Sequence, residues 1–131
     1  MEVQVNKENT EQLFTDFPRL FRGRTEPITT NLMSWGFCCD DGWFSLIYDL
    51  SKEITEHAEK NGLDPKASQV KEKFGGLRFY VESEDEAISK LIDEAEAKSF
   101  TLCEECGEPG ITRRNKSNWL VTLCQKCRNQ S

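Results

Sequence analysis

The C-terminal stretch that decides the fold is CEECGEPGITRRNKSNWLVTLCQKC, which runs from Cys103 to Cys127. It holds two Cys-x-x-Cys pairs with seventeen residues between them. Two residues between cysteines let both sulfurs reach one tetrahedral ion, and Gly107 permits the tight backbone turn behind the first pair. The spacing predicts a zinc ribbon, in which one structural zinc ion is bound by Cys103, Cys106, Cys124 and Cys127.

The four-thiolate ligand set predicts a structural metal. Four sulfurs fill a tetrahedral coordination sphere and leave no open position for a substrate. The alternative is two disulfides, which a reducing cytoplasm disfavours. Two short strands, Ile111–Arg114 and Trp119–Leu123, are predicted between the cysteine pairs. The segment is too small to bury a core alone, so we expect zinc binding to supply most of its folding energy.

The tip of this hairpin offers a candidate nucleic-acid contact. Basic and aromatic side chains gather there: Arg113, Arg114, Lys116 and Trp119. The cations could contact a phosphate backbone while the indole stacks on a base. The alternative is that these are ordinary solvated residues at an exposed turn, and the sequence favours it.

The chain as a whole is acidic. It has 131 residues and a formal net charge of −6. Residues 1–102 hold 20 acidic and 12 basic side chains, a net of −8, whereas residues 103–131 hold three and five, a net of +2. An acidic chain repels phosphate backbones at long range, which counts against non-specific nucleic-acid binding. The apolar fraction of 37% is enough for a packed core, so a disordered chain is excluded.

Nothing in the sequence predicts a membrane or an exported protein. No apolar run approaches the roughly 20 residues that a membrane helix needs. The N-terminus, MEVQVNKENTEQ, lacks the basic and then apolar pattern of a secretory signal. We therefore expect a cytoplasmic protein without a membrane partner.

Residues 1–102 are predicted to form an α+β body, to which residues 103–131 add the zinc ribbon. Hydrophobic spacing predicts three helices: Thr10–Phe17, Phe44–Asn61 with Asp41 as its N-cap, and one that Ser83 and Glu86 open as a capping box and that ends near Ser99. The second helix buries a stripe from Phe44 to Ala58, and the third buries Ala87, Ile88, Leu91, Ile92 and Ala95. The acidic run 82–86 is most simply a helix start, with an acidic binding patch as the alternative.

Val70–Glu82 is predicted to be a β-hairpin. Gly75 and Gly76 can supply the positive φ angles of a two-residue turn. That turn would pair Phe74 with Leu77, Glu72 with Phe79 and Val70 with Val81. These six residues would share the inner face, and the outer face would carry Gln69, Lys71, Lys73, Arg78, Tyr80 and Glu82.

Four residues of that outer face form the candidate partner-binding site: Lys71, Lys73, Arg78 and Tyr80. The predicted turn places Lys73 opposite Arg78 and Lys71 opposite Tyr80. Like charges facing each other across strands are destabilising, and three cations are out of character in an acidic chain. They predict a face that meets an acidic surface of a partner. The alternative is that nearby carboxylates such as Glu82 neutralise the cations.

The other candidate reactive groups do not predict an enzyme. Cys38 and Cys39 are adjacent in an aromatic-rich stretch, where buried free thiols are the expectation. His57, the only histidine, lies beside the buried stripe of its helix, where a core or boundary role is expected. No phosphate-binding loop or nucleophile–base motif is present in the sequence, so no catalytic residue is predicted.

Several motifs together resemble small proteins encoded by bacteriophages and prophages. They are Phe17-Pro18-Arg19-Leu20-Phe21, Trp35-Gly36-Phe37, Asp41-Gly42-Trp43, the run from Gln69 to Tyr80, and the ribbon. The resemblance covers most of the chain and implies a virus acting inside a bacterial cell. It assigns no activity and no functional residue beyond the zinc ligands.

These observations favour a zinc-stabilised module that binds another protein, of the host or of the phage. In a phage setting the expected role is an inhibitor or modulator of host machinery, such as a defence complex. The alternative is a zinc-ribbon protein that binds nucleic acid in replication or transcription. Ribbons serve both purposes, so the fold alone does not choose between them.

Overall fold

The computed structural model describes residues 3–130 and confirms the α+β class, with four helices and two small sheets. The helices are α1 (Lys7–Asp16), α2 (Phe44–Asn61), α3 (Glu86–Ser99) and α4 (Gln125–Gln130). The strands are β1 (Phe37–Cys38), β2 (Lys66–Lys73), β3 (Gly76–Glu82), β4 (Ile111–Arg114) and β5 (Leu120–Leu123). Three short 3₁₀ turns occupy Arg22–Thr25, Leu32–Trp35 and Asp41–Trp43.

The sheet of the body has the strand order β1-β2-β3. β2 and β3 form the predicted antiparallel hairpin, whereas β1 pairs with β2 in parallel through Phe37 and Val70. Two parallel neighbouring strands need a long connection that returns the chain to the start of the sheet. Here α2 is part of the connection from β1 to β2. The two-residue β1 was not predicted, because two residues show no strand periodicity.

The turn of the hairpin lies one residue earlier than predicted. Phe74 and Gly75 have φ angles of 54° and 86° and form the turn, whereas Gly76 is the first residue of β3. A Cβ on Gly76 would lie 2.2 Å from the ring of Phe100, so Gly76 is required for packing. The predicted pairs are therefore wrong: Glu72 faces Leu77 and Val70 faces Phe79. The strand faces are unchanged, because this register differs from the predicted one by two residues.

The core lies between the inner face of this sheet and the helices. Its centre is a group of packed aromatic rings, Phe14, Phe21, Phe37 and Phe79, with centroids 5.1 to 6.2 Å apart. Trp43 is fully buried, and its indole N–H donates to the carbonyl of Leu102 at 2.9 Å. The predicted stripe of α2 is confirmed, since Ile47, Leu50, Ile54 and Ala58 are buried and Phe44 packs beside them. On α3, Ala87 is exposed, contrary to prediction.

Both predicted helix caps are wrong. The side chain of Asp40 caps the 3₁₀ turn that leads into α2, whereas Asp41 instead accepts the backbone N–H of Asn6 at 2.9 Å. α3 is capped by Asp85, which accepts from the N–H of Ile88 at 2.8 Å, and Ser83 has a φ of 62° outside the helix. In both cases neighbouring residues in the sequence could accept the first free N–H groups of the helix. Tertiary packing decides which of them is the N-cap.

Contacts cross the predicted boundary between residues 102 and 103. The N–H of Gly42 donates to the carbonyl of Glu104 at 2.7 Å. The hydroxyl of Thr122 donates to the carbonyl of Gly75 at 2.6 Å, and that of Thr112 donates to the carbonyl of Phe100 at 3.0 Å. The division into 1–102 and 103–131 stays a prediction, and its outermost residues, Met1, Glu2 and Ser131, lie outside the described residues.

The helices in residues 3–130 do not reach the combination of length and hydrophobicity that crossing a bilayer requires.

Candidate metal centre and binding surface

The structure brings together the four cysteines of the ribbon. The sulfurs of Cys103, Cys106, Cys124 and Cys127 all lie within 4.8 Å of one another. Those of Cys106 and Cys124 are 3.6 Å apart. Sulfurs bound tetrahedrally at the usual Zn–S distance of about 2.3 Å would be about 3.8 Å apart. The cluster therefore has dimensions that can hold a single metal ion.

The backbone around the cluster has the form of two cysteine knuckles. Gly107 has a φ of 82°, and its N–H donates to the carbonyl of Cys103 at 2.9 Å. The N–H of Cys127 points at the sulfur of Cys124 at 3.4 Å. This backbone N–H lowers the pKa of the Cys124 thiol to about 7 and so favours the thiolate, the form that binds metal. Two of the sulfur-bearing residues, Cys103 and Cys127, are buried.

Glu104, between the cysteines of the first pair, joins the knuckle to the body. Its carboxylate accepts the backbone N–H of Asp40 at 3.0 Å, and its own N–H donates to the carbonyl of Thr122 at 2.9 Å. Burial raises the pKa of the Glu104 carboxyl to about 7. No local pattern predicts this contact, because Asp40 and Glu104 are 64 residues apart in the chain.

A groove of about 1270 Å³ separates the ribbon from the body; we call it the ribbon groove. One wall is β2 with the turn residue Phe74, and the other is the ribbon from Trp119 to Leu123 with Glu104 and Glu105. Other residues of the body also line it: Val3, Gln4, Leu32, Trp35, Cys38 and Asp40. A second depression of about 310 Å³ adjoins it, since Leu32 and Gln69 line both.

Exposed hydrophobic side chains are concentrated at these two depressions. Residues 3–130 expose eight large hydrophobic side chains, and seven of them line one depression or the other. The seven are Val3, Ile28, Leu32, Trp35, Phe74, Tyr80 and Trp119. Contiguous exposed apolar surface of this kind marks interaction sites.

The predicted partner-binding residues lie beside this apolar surface. Lys71 and Lys73 line the ribbon groove, and Tyr80 lines the smaller depression. Their cross-strand pairs differ from prediction: Lys71 faces Arg78, Lys73 faces Gly76 and Gln69 faces Tyr80. The corrected register still sets two cations opposite each other. Glu82, the expected neutralising group, lies instead 3.6 Å from Lys66.

The candidate nucleic-acid residues lie at the tip of the β4–β5 hairpin, and their proposed contact with nucleic acid stays a prediction. Arg113, Arg114 and Lys116 are exposed, and Arg114 donates to the carbonyl of Asn118 at 3.0 Å, within the turn. Trp119 is 68% exposed, but it lines the ribbon groove on the side facing β2. Leu120, Val121 and Leu123 of β5 line the same groove.

The remaining candidate reactive residues are wholly or partly buried: Cys39, Cys38 and His57. Cys39 is fully buried, and burial raises the pKa of its thiol well above the usual value, which makes it unreactive. Cys38 is half-buried in the ribbon groove. His57 is half-buried and lies 2.8 Å from the carboxylate of Asp85, so it ties α2 to the cap of α3. His57 therefore lies at the boundary of the core, as predicted.

Several groove residues could not be predicted from the sequence, among them Phe74, Trp35 and Glu105. Phe74 was assigned to the inner face of the hairpin, although it is 60% exposed in the turn. Trp35 is 51% exposed, and the aromatic-rich stretch around it does not predict that exposure. Glu105 lies between two predicted metal ligands, and that position does not indicate a groove wall. Their exposure depends on how the ribbon sits on the body, which no local pattern encodes.

Comparison of the chain with protein-family models, with curated proteins and with solved structures gave no match in any of the three.

Proposed function

We propose that the protein is a zinc-stabilised module that acts by binding another protein. Zinc is the proposed metal because four thiolates in tetrahedral reach are its usual structural site, and they leave no coordination position for substrate. Zinc would hold the two knuckles together through Cys103, Cys106, Cys124 and Cys127. The ion would thereby fix one wall of the ribbon groove.

The observation that carries the proposal is the clustering of seven exposed hydrophobic side chains at two adjoining depressions. Tyrosine and tryptophan, which are enriched at interface hot spots, supply three of the seven. Three of the predicted partner-binding residues, Lys71, Lys73 and Tyr80, line the same depressions, and Arg78 is paired with Lys71 on the neighbouring strand. A protein partner would bury this apolar area, which is otherwise costly in water.

Binding of nucleic acid is the second candidate, since cations beside exposed aromatic rings also bind single strands. It is less well supported, because the chain has a net charge of −6 and four carboxylates line the ribbon groove. On the resemblance to phage-encoded proteins, we further propose that the partner is a bacterial host protein in the cytoplasm, such as a defence complex. The proposal assigns no catalytic residue.

Capture from a bacterial lysate on the zinc-loaded chain tests the proposal. Wild type should retain a specific protein, and the variant Trp35→Ala with Lys71→Glu and Lys73→Glu should lose it. The matched control is Lys52→Glu with Lys60→Glu, which changes the same charge at two exposed positions on α2 and should retain the partner.

A gel shift with oligonucleotides across salt concentrations separates the two candidate functions. If phosphates are contacted, affinity falls steeply with salt. Such a shift, without a captured protein, would favour the nucleic-acid function. Equal capture by wild type and the triple variant would contradict the proposed surface.

A further inference from the structure

The smaller of the two depressions differs from the ribbon groove in its charge. Charged residues make up 31% of the chain, yet none of the eight residues that line this depression is charged. Ile28 and Leu32 supply aliphatic surface, Tyr80 supplies an aromatic ring, and the other five residues carry a hydroxyl or an amide. The lining therefore offers no counter-charge to a charged ligand, and burying an unpaired charge is costly.

A β-bulge shapes one part of this lining. Ala67 faces Val81 and Gln69 faces Tyr80, so Ser68 is an extra residue in the register of β2 with β3. Ala67 is buried, whereas Ser68 and Gln69 are both half-buried and both line the depression. In a regular strand, one of two consecutive side chains would point to the core. The bulge therefore presents two neighbouring polar side chains on the outer face, and bulges are over-represented next to functional sites.

The other lining segment, residues 28–32, is held in place by a buried asparagine. The side-chain amide of Asn31 donates to the carbonyl of Ala67, the residue before the bulge, at 3.0 Å. Its oxygen accepts from the N–H of Met33 at 2.7 Å. A Cβ on Gly23 would collide with the same amide, so the chain is packed tightly behind it. The depression is therefore largely formed before a ligand binds, which reduces the entropy lost on binding.

Several hydrogen-bonding groups of the lining are available to a ligand. Within residues 3–130, the hydroxyls of Thr29, Thr30 and Tyr80 and the side-chain amide of Gln69 form no hydrogen bond with the chain. The two threonines and the tyrosine are exposed. A tyrosine ring beside neutral hydrogen-bonding side chains is typical of antibody surfaces, which recognise proteins. The composition of the depression therefore suits an uncharged segment of a protein.

From this lining we propose that the smaller depression binds a short, uncharged segment of the partner protein. Hydroxyl, amide or main-chain groups of that segment would bond to Gln69 and to the two threonines. An aliphatic side chain of the segment would pack on Ile28, Leu32 and the ring of Tyr80. The segment is short because a depression of about 310 Å³ is small for a ligand site. This inference rests on the proposed protein-binding function and adds the chemistry of the partner at one part of the surface.

Selection from a random library of displayed peptides on the zinc-loaded full chain tests this chemistry without a known partner. Peptides that bind wild type and are lost on the variant Ile28→Ala with Tyr80→Ala bind at the smaller depression. They should carry Asn, Gln, Ser or Thr next to an aliphatic residue and should lack charged residues. Their affinity should change by less than about twofold between low and high salt, because salt screens only charges. Lys71→Glu with Lys73→Glu, in the ribbon groove, is the control and should leave this affinity unchanged.

The variant Thr30→Val with Gln69→Leu tests the hydrogen bonds, because it removes two polar groups and nearly keeps the shape of the lining. After circular dichroism and zinc content have shown that it is folded, a selected peptide should bind it at least about tenfold more weakly. Unchanged affinity in this variant would overturn the inference.

The peptides themselves can also contradict the inference. Charged peptides with salt-dependent affinity, or no peptide that the Ile28→Ala with Tyr80→Ala variant loses, would overturn it and leave the proposed function intact. An uncharged oligosaccharide that binds wild type and not this variant, without peptide enrichment, would overturn it in favour of a carbohydrate. The proposed function itself is tested separately, by capture from the lysate.

Discussion

Phe74 shows, at the scale of one residue, how a binding surface conflicts with local stability. The turn that it forms with Gly75 has two positive φ angles, 54° and 86°, which are characteristic of a type I′ hairpin turn. Asparagine and glycine are the residues such a turn prefers, and a phenylalanine at the first position is strained. The Phe74 ring lines part of the ribbon groove.

The substitution Phe74→Asn should therefore stabilise the fold. We expect the free energy of unfolding to rise by about 1 kcal/mol, because asparagine tolerates the left-handed conformation at lower cost. Chemical denaturation with zinc present measures this. Phe74→Ala is the matched control, since it removes the same ring without relieving the backbone strain. An unchanged or lower stability in Phe74→Asn would show that the turn is unstrained.

At the outer edge of β3, side chains of α3 accept hydrogen bonds from backbone N–H groups that have no neighbouring strand. Two backbone N–H groups of the strand find acceptors on α3: Leu77 donates to the hydroxyl of Ser99 at 2.8 Å, and Phe79 donates to the carboxylate of Glu96 at 2.9 Å. The helix thereby covers an edge that would otherwise be open to pairing with another strand. Burial raises the pKa of Glu96 above its ordinary value of 4.5, although the N–H of Phe79 opposes the shift.

The raised pKa of Glu96 makes stability depend on pH. The folded chain holds this proton more tightly than the unfolded chain, so the contribution is fully present below pH 4.5 and is lost as the pH rises through the folded pKa. Glu96→Gln keeps an acceptor for Phe79 and cannot titrate. Denaturation from pH 4 upward should show a smaller loss of stability in this variant than in wild type. Glu94→Gln, exposed on the same helix, should behave as wild type.

The elements that the sequence predicts well are those with a local pattern. The buried stripe of α2 and the alternation of β2 and β3 repeat over many residues, and both were correct. The turn position was wrong, because the contact that requires Gly76 comes from Phe100, 24 residues away. The cap of α3 was wrong for a related reason, since Asp85 also serves as the partner of His57 on α2.

At the scale of the whole molecule, the ribbon and the body are joined along several lines of contact. Gly42 approaches the first knuckle so closely that a Cβ on it would lie 2.2 Å from the carbonyl oxygen of Cys103. Thr122 of β5 binds the hairpin turn at Gly75, next to Phe74. The position of the groove wall is therefore set by the same contacts that hold the cysteine cluster against the body.

One part of the candidate site is predicted by a local sequence pattern, and the other part depends on contacts between distant segments. The cysteine cluster could be predicted from spacing alone, because two residues between cysteines limit the reach of each pair. The groove could not, because its walls come from β2, the ribbon and the segment around Trp35, which are distant in sequence. The outer-face cations were found from strand alternation, but their apolar surroundings were not.

Native mass spectrometry of the full chain tests the central claim, that four cysteines bind one zinc ion that organises the ribbon. The account predicts one zinc per chain in wild type and none in the variant Cys124→Ser with Cys127→Ser. Cys38→Ser with Cys39→Ser is the control and should keep one zinc. Two metals per chain, or zinc retained after loss of the second cysteine pair, would contradict the account.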